Sequence, residues 1–323
     1  MVLNATDRLT AIEAAKRNNQ NQDARRIIEA LRQTNEIMMD IPVVKANNDT
    51  VHKHLVRTSL PKATVRTLNQ GVNTTSSTTK VVSDTMTQLA VYSIVDRDLV
   101  DRQQSPDEFL TGEETSFIEG MGQQQADMFV YGSTDQNPSA INGFAARRKK
   151  LSDFTCVSAG GSGNALTSIY LVKAGITDGM HYIYPKGSNS IGVEREDDGI
   201  VDATDENGKH FKAYQSYFSC NFGLSLGNEK SLIRIANIDP KTARGDDLIG
   251  KLITLMKKLP SGDGTVVAYM NSDMLNVIDL ALAAKGNVQY TMEDPWGKAV
   301  TTLRGIRMRQ VDSILNTESA VTA

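Results

Sequence analysis

Apolar positions change their spacing several times along this chain, and each spacing selects a different element. Near the start, Ile27, Ile28, Leu31, Ile37 and Met38 form an apolar stripe among charges, which predicts a helix over Ala24 to Met39. A shorter helix is expected over Asp7 to Arg17, with Thr6 and Asp23 as caps, "NNQNQ" as the break and Pro42 as the stop. Two short amphipathic helices need something to lie on, either the body of the chain or a neighbour. From Thr50 to Arg97 the pattern becomes β-branched and loosely alternating, in "TVHKHLVRTSL" and "TKVVSDTMTQLAVYSIV". Between these runs lies "LNQGVNTTSSTTK", residues 68–80, with almost nothing to bury. The expected element is a long projecting hairpin. A two-stranded ribbon is marginal by itself, and its edges invite pairing with other chains.

A strong helix start follows in "SPDE", with Ser105 at the cap, Pro106 at the first helical position and Glu108 at the capping-box position. Leu110, Phe117, Ile118, Met121, Met128 and Phe129 extend the helix to about Tyr131, a length of roughly 40 Å. Gly112, Gly120 and Gly122 each cost about 1 kcal/mol there against Ala. Such glycines are tolerable where another backbone approaches closely. The second half reads as α+β. Strands are expected in "TSIYLVKAG", "HYIYP", "YQSYFSCNFGLSL" and "SLIRIANI", separated by an acidic turn "EREDDG" and a hairpin tip "DENGKH". Then come a helix in "DDLIGKLITLMKKLP", a strand in "TVVAYM", a helix in "NSDMLNVIDLALAAK" capped by Asn271 or Ser272, and a strand pair in "KAVTTLRGIRMRQVDSIL". No internal repeat is visible.

Composition narrows the class. The 323 residues are 40% hydrophobic and 23% charged, with a single tryptophan, Trp296, which fits a globular chain with a sizeable core. The formal net charge of −3 argues against a surface built wholly for nucleic acid. No apolar run reaches the ~20 residues of a membrane span, and the N-terminus lacks the apolar core of a signal peptide. Cys156 and Cys220 stand far apart, which suits two free thiols in a reducing compartment such as a cytoplasm.

Candidate chemistry is sparse. Gly160-Gly161-Ser162-Gly163 has the composition of a phosphate-binding loop. It lacks the lysine and Ser/Thr of a P-loop, and "LTSIYLV" after it reads as a strand. Without a helix N-terminus no dipole is aimed at an anion, so the loop is expected to be a flexible connection. His52 and His54 share one face of a strand, but no nearby Cys or His completes a metal set. They are expected to be solvated strand histidines; His181 and His210 complete the four. The acid-rich "EREDDG" and "DATDENG" do not match calcium-loop spacing. "ARRKK", residues 146–150, is a basic cluster that suits nucleic acid, solvent or a neighbour's carboxylates. No catalytic, cofactor-binding or metal-ligating residue is assigned.

The phrases "RTSLPKATVRTLNQGV" (57–72), "SPDEFLTGEETSFIEGMGQQQADMFVYGSTDQNPSAINGF" (105–144), "TSIYLVKAG" (167–175), "YIYPKGS" (182–188), "LIRIANID" (232–239) and "TTLRGIRMRQVDSIL" (301–315) carry a resemblance. In order and spacing the chain resembles the tailed-bacteriophage major capsid proteins of the Hong Kong 97-like fold, in particular the short-tailed type represented by epsilon15 and the Bordetella phages. The resemblance implies an α+β capsid fold in four parts. These are an N-terminal arm (1–48), an extended E-loop hairpin (49–95), a P-domain (96–238) with the spine helix at 105–131, and an A-domain with closing strands (239–323).

It also implies a non-enzymatic virion protein, made in the bacterial cytoplasm. Its hexamers and pentamers would close an icosahedral shell, with a portal at one vertex, a scaffolding protein during assembly and a possible cement protein. The packaged double-stranded DNA would be touched weakly and without sequence preference. The archetype's lysine–asparagine crosslink is not carried over, because no motif marks Lys62 or Lys80 as reactive. A separate scaffolding protein is expected, since the chain starts almost directly with the arm. Two other readings stand beside this one. One is an encapsulin-like compartment shell, and the other is an α+β enzyme using the Gly160–Gly163 loop.

Overall fold

The computed structural model of the chain describes residues 35–48, 50–152, 154–187, 192–262, 264–284 and 302–322. The expected helix Asp7 to Arg17, most of that over Ala24 to Met39, and Trp296 lie outside the described residues. The rest forms two compact units. The smaller takes residues 88–126 and 190–221, the larger residues 34–87, 127–189 and 222–323.

The core of the larger unit is built on strands with no polar face. Strand β5 (Thr167–Ala174) and strand β9 (Leu232–Ile238) are buried at every position. They pair antiparallel, with Tyr170 opposite Arg234, and β5 pairs antiparallel on its other side with β10 (Thr265–Met270). Continuous apolar runs such as these require cover on both faces. On one face Ile169, Leu171, Ile233 and Ile235 share a core with two helices, α5 (Gly245–Met256) and α6 (Ser272–Ala284). Leu248, Leu252 and Leu255 of α5 and Met274, Ile278 and Leu282 of α6 recur at helical spacing and are all buried. The two helices cross at Gly245, where an added Cβ would lie 2.4 Å from the Cβ of Ala281. Asn271 is the cap of α6, its Oδ1 accepting from the Met274 N–H at 3.0 Å. On the other face Tyr170 and Tyr269 pack around Phe144 at 5.5 and 6.0 Å.

The sheet runs on to both sides in the order β11 (Thr302–Leu303), β12 (Ile306–Gln310), β10, β5, β6 (Met180–Tyr184), β8 (His210–Leu226), β3 (Thr78–Asp96) and β2 (Val51–Ser59). Strand β1 (Val43–Lys45) adds parallel to β6, and β4 (Cys156–Ser158) parallel to β9. The hairpin expected between Thr50 and Arg97 is β2 paired antiparallel with β3. Its loop is longer than the expected tip at 68–80. Pairing stops at Ser59 and Thr78, so residues 60–77 lie outside the ladder and Thr78 to Lys80 belong to β3. Pro61, two residues past the last pair, has no N–H to give to a ladder.

In the smaller unit, β7 (Val193–Thr204) pairs with the first part of β8. The turn between them is "DENGK", as the sequence indicates, with Asp205 Oδ1 accepting from the N–H groups of Asn207 and Lys209. The expected acidic turn "EREDDG" is instead part of β7. Glu194 to Asp198 are all exposed, so the backbone joins the ladder while the carboxylates stay in water. Charges on such a strand also discourage edge-to-edge association. The long helix α3 (Pro106–Tyr131) stands where the capping pattern places it, with the Phe109 N–H donating to the Ser105 carbonyl at 3.1 Å. Its Phe117 ring is nearly parallel to Phe218 of β8, 6.3 Å away. Glu114 accepts from Arg195 and from the Ser216 hydroxyl, both at 2.7 Å. Among the described residues no backbone approaches Gly120 or Gly122, since an added Cβ at either meets nothing within 4 Å.

Candidate assembly surfaces

The glycine-rich loop is a docking seat for the chain's own C-terminal segment. Gly160 and Gly163 have φ of +100° and +103°, the left-handed region that favours glycine. A strand follows, as expected. The Gly163 carbonyl accepts from the Ala320 N–H at 3.0 Å, and Leu166 and Glu318 exchange both backbone bonds. Asn237 clamps Val321 from N–H and carbonyl at 2.7 and 3.0 Å. The Glu318 carboxylate is then buried against Arg234 at 2.9 Å, against the Ser168 hydroxyl, and against the Tyr131 hydroxyl at 2.7 Å. Burial, then the Glu318 charge, raise the Tyr131 phenol above its ordinary value. It therefore stays a proton donor to Glu318.

Several of the remaining sequence candidates also face inward. Two residues of "ARRKK" are structural. Arg147 bonds Asp84 and the Leu224 carbonyl, both at 2.8 Å. Arg148 is buried on the Leu232 carbonyl at 2.8 Å and on Glu229. That leaves Lys149, paired with Asp135, and Lys150 at the surface. Cys156 and Cys220 are buried free thiols. Burial raises both, Cys220 to about 11, the opposite of an activated nucleophile.

The histidines correct the expectation of solvated side chains. His181 of β6 is buried and meets His52 edge-to-face at 5.8 Å, while His54 lies 6.1 Å from His52. Only His210 of the four is exposed. Nothing local in the sequence signals this, because His181 stands 127 residues beyond His54. Among the described residues, no group of three or more His, Cys, Asp or Glu is arranged to hold a metal ion.

What remains at the surface is one-sided in charge. Residues 50–83 contain no carboxylate, and Lys53, Arg57, Lys62, Arg66 and Lys80 are all exposed. The hairpin also presents apolar side chains to solvent, with Val65 fully exposed, Leu68 90% exposed and Leu55 71% exposed. Helix α3 has the opposite character, with Asp107, Glu108, Glu113, Glu114, Glu119 and Asp127 and no lysine or arginine. Strand β7 adds Glu194, Glu196, Asp197, Asp198 and Asp202 against one arginine. The start of the described chain is held on the body instead. Asp40, in the short helix α1 (Ile37–Asp40), accepts from Arg309 Nε and Nη2 at 2.7 and 3.1 Å, a two-pronged bond.

Comparison with known proteins gives the same class of molecule. A family model described as major capsid protein GP7 matches residues 19–322. A chain in a near-atomic structure of bacteriophage epsilon15 is 31% identical, with a TM-score of 0.74 and full coverage of both chains. The capsid of Myoviridae phage XM1 is 8% identical, covering 70% of this chain and 98% of its own, at a TM-score of 0.47. The SrpI encapsulin of Synechococcus elongatus PCC 7942 is 10% identical, covering 71% and 96%, at 0.46. No curated protein matches the chain.

Proposed function

The chain belongs to the major capsid protein GP7 family and is a structural subunit of a phage head with the Hong Kong 97-like fold, and from this we propose how its parts divide the work. The family match selects the phage head over a cargo compartment or a nucleotide-using enzyme. Residues 1–48 are the N-terminal arm and 49–95 the E-loop. Residues 96–238 are the P-domain with its spine helix at 105–131, and 239–323 are the A-domain. The A-domain core takes β5 and β9 from the preceding segment, since α5 and α6 pack on them.

Copies join as hexamers and pentamers in a closed shell, without catalysis. The observation that carries this reading is the hairpin. It holds 18 residues, 60–77, outside its ladder, apolar and basic, with no cover among the described residues. A closed assembly supplies that cover and removes free edges. Permanent interfaces of this kind bury roughly 2,000 Å² or more. The carboxylates of α3 and β7 on a neighbour complement the hairpin's charge. The internal use of Arg147 and Arg148 supports weak, non-specific contact with packaged double-stranded DNA. A scaffolding protein, a portal and a cement protein complete the expected partners, and synthesis takes place in the host cytoplasm.

Electron microscopy of the purified chain, alone and with its neighbouring genes, tests this. Shells or rings of five and six are expected. A chain that stays monomeric at high concentration in every condition contradicts it. Deleting residues 60–77 is expected to leave a folded chain that no longer assembles.

A further inference from the structure

At the root of the hairpin, three imidazoles share one small volume. His52 and His54 alternate on one face of β2, and His181 reaches them from β6. Asp84 of β3 lies opposite His52 in the ladder, with Oδ2 3.7 Å from His54 Nδ1. Arg147 of helix α4 (Phe144–Arg147) holds the other Asp84 oxygen at 2.8 Å. Among the described residues, these are the charged groups facing the cluster: one carboxylate, already matched by one guanidinium. With neutral imidazoles the site carries no net charge. Any proton added makes it positive, and a second sits about 6 Å from the first.

The hydrogen bonding also favours neutral rings. His52 Nδ1 accepts from the Asn47 N–H at 3.4 Å, which needs a free lone pair. Both ring nitrogens of His54, Nδ1 of His181 and Oδ2 of Asp84 are buried without a hydrogen-bond partner. The acceptors for a charged ring there are the spare oxygen of Asp84 and, for His181, the backbone of Gly175, which opposes the effect of burial without reversing it.

We propose that His52 and His181, packed edge to face, form a proton-operated hinge, in which acid charges the pair and frees the root of the hairpin from β6. Burial and the neighbouring imidazoles lower both His52 and His181 from the ordinary 6.5, in agreement with the geometry. The sign follows from linkage. Below pH 6.5 the opened root binds protons that the closed root refuses, so closure is complete above that pH and weakens as pH falls. For the shell subunit this makes the hairpin's attachment pH-dependent, a consequence that rests on the capsid reading. The hinge itself does not.

Hydrogen exchange of the full chain at pH 7.5 and 5.0, corrected for intrinsic rates, tests it. Amides of 43–47, which bond to β6 and to His52, are expected to lose at least tenfold in protection at pH 5.0, while those of β5 and β9 keep theirs. Unchanged protection in 43–47, or loss shared equally with β5 and β9, overturns the proposal. His181→Phe keeps a ring against His52 and cannot be charged, so it should retain protection at pH 5.0. His52→Asn serves where that variant does not fold. Acid loosening of the wild-type kind in the folded variant also overturns it. Particle formation at pH 7.5, seen by microscopy, tests the capsid reading separately.

Discussion

The strands of the core and those of the hairpin are equally rich in β-formers, yet they solve opposite problems. β5 and β9 leave no residue exposed, so their polar members must be satisfied inside. Arg234 bonds Glu318 and Ser168, and Lys173 reaches the Pro260 carbonyl at 3.0 Å. Half of the residues of β2 and β3 are exposed, and most of their polar side chains need only water, Asp84 on Arg147 being an exception. A strand buried on both faces is specified by its own chain. A strand with a bare face leaves that face to be specified by something outside it. That difference places stability in one region and assembly in the other, and substitutions can separate the two.

The largest effect is expected at the buried ion pair. Arg234→Ala leaves Glu318 buried and uncompensated, and should cost about 3–5 kcal/mol in urea unfolding. A loss under 1 kcal/mol would mean that the C-terminal segment is not held as described. Asp40→Ala removes a two-pronged bond to Arg309 at the edge of the same unit. It should cost about 1.5–3 kcal/mol, the range for hydrogen bonds to charged groups. Gly120→Ala and Gly122→Ala should each stabilise the unassembled chain by about 1 kcal/mol, since nothing crowds the new methyl group. If they also block shell formation, a neighbour's backbone lies on α3.

The smallest effect on the unassembled chain belongs to the hairpin. Arg57→Glu with Lys80→Glu should change its unfolding free energy by less than about 0.5 kcal/mol. The same pair should raise the concentration needed for assembly. Glu196→Lys with Asp198→Lys should restore assembly to the double variant if β7 is the surface that meets the hairpin. Light scattering at several salt concentrations reads both outcomes, and failure of the restoration removes β7 from the interface.

Much of this architecture was legible from local pattern. The capped helix α3, the cap at Asn271, the strands β5, β6, β8, β9 and β10 and the "DENGK" turn follow from residues a few positions apart. Misreadings arose where local chemistry points both ways. "EREDDG" has the composition of a turn, but an exposed strand tolerates the same carboxylates. The glycine loop was legible as something other than a phosphate cradle. Its role as seat for Ala320 was not, because that partner lies 157 residues further on.

The sequence alone therefore determined the elements, the absence of a phosphate-loop pattern and the resemblance to capsid proteins, because these rest on short-range spacing and on ordered motifs. Only the tertiary structure decided which charges are spent and which are free. Arg147, Arg148 and Arg234 read like any surface arginine until the fold supplies Asp84, Glu229 and Glu318. His52 and His54 read as solvated until a distant strand brings His181 within about 6 Å of His52. The energy of a charge is set by its solvent and its neighbours in space, and folding alone assigns both.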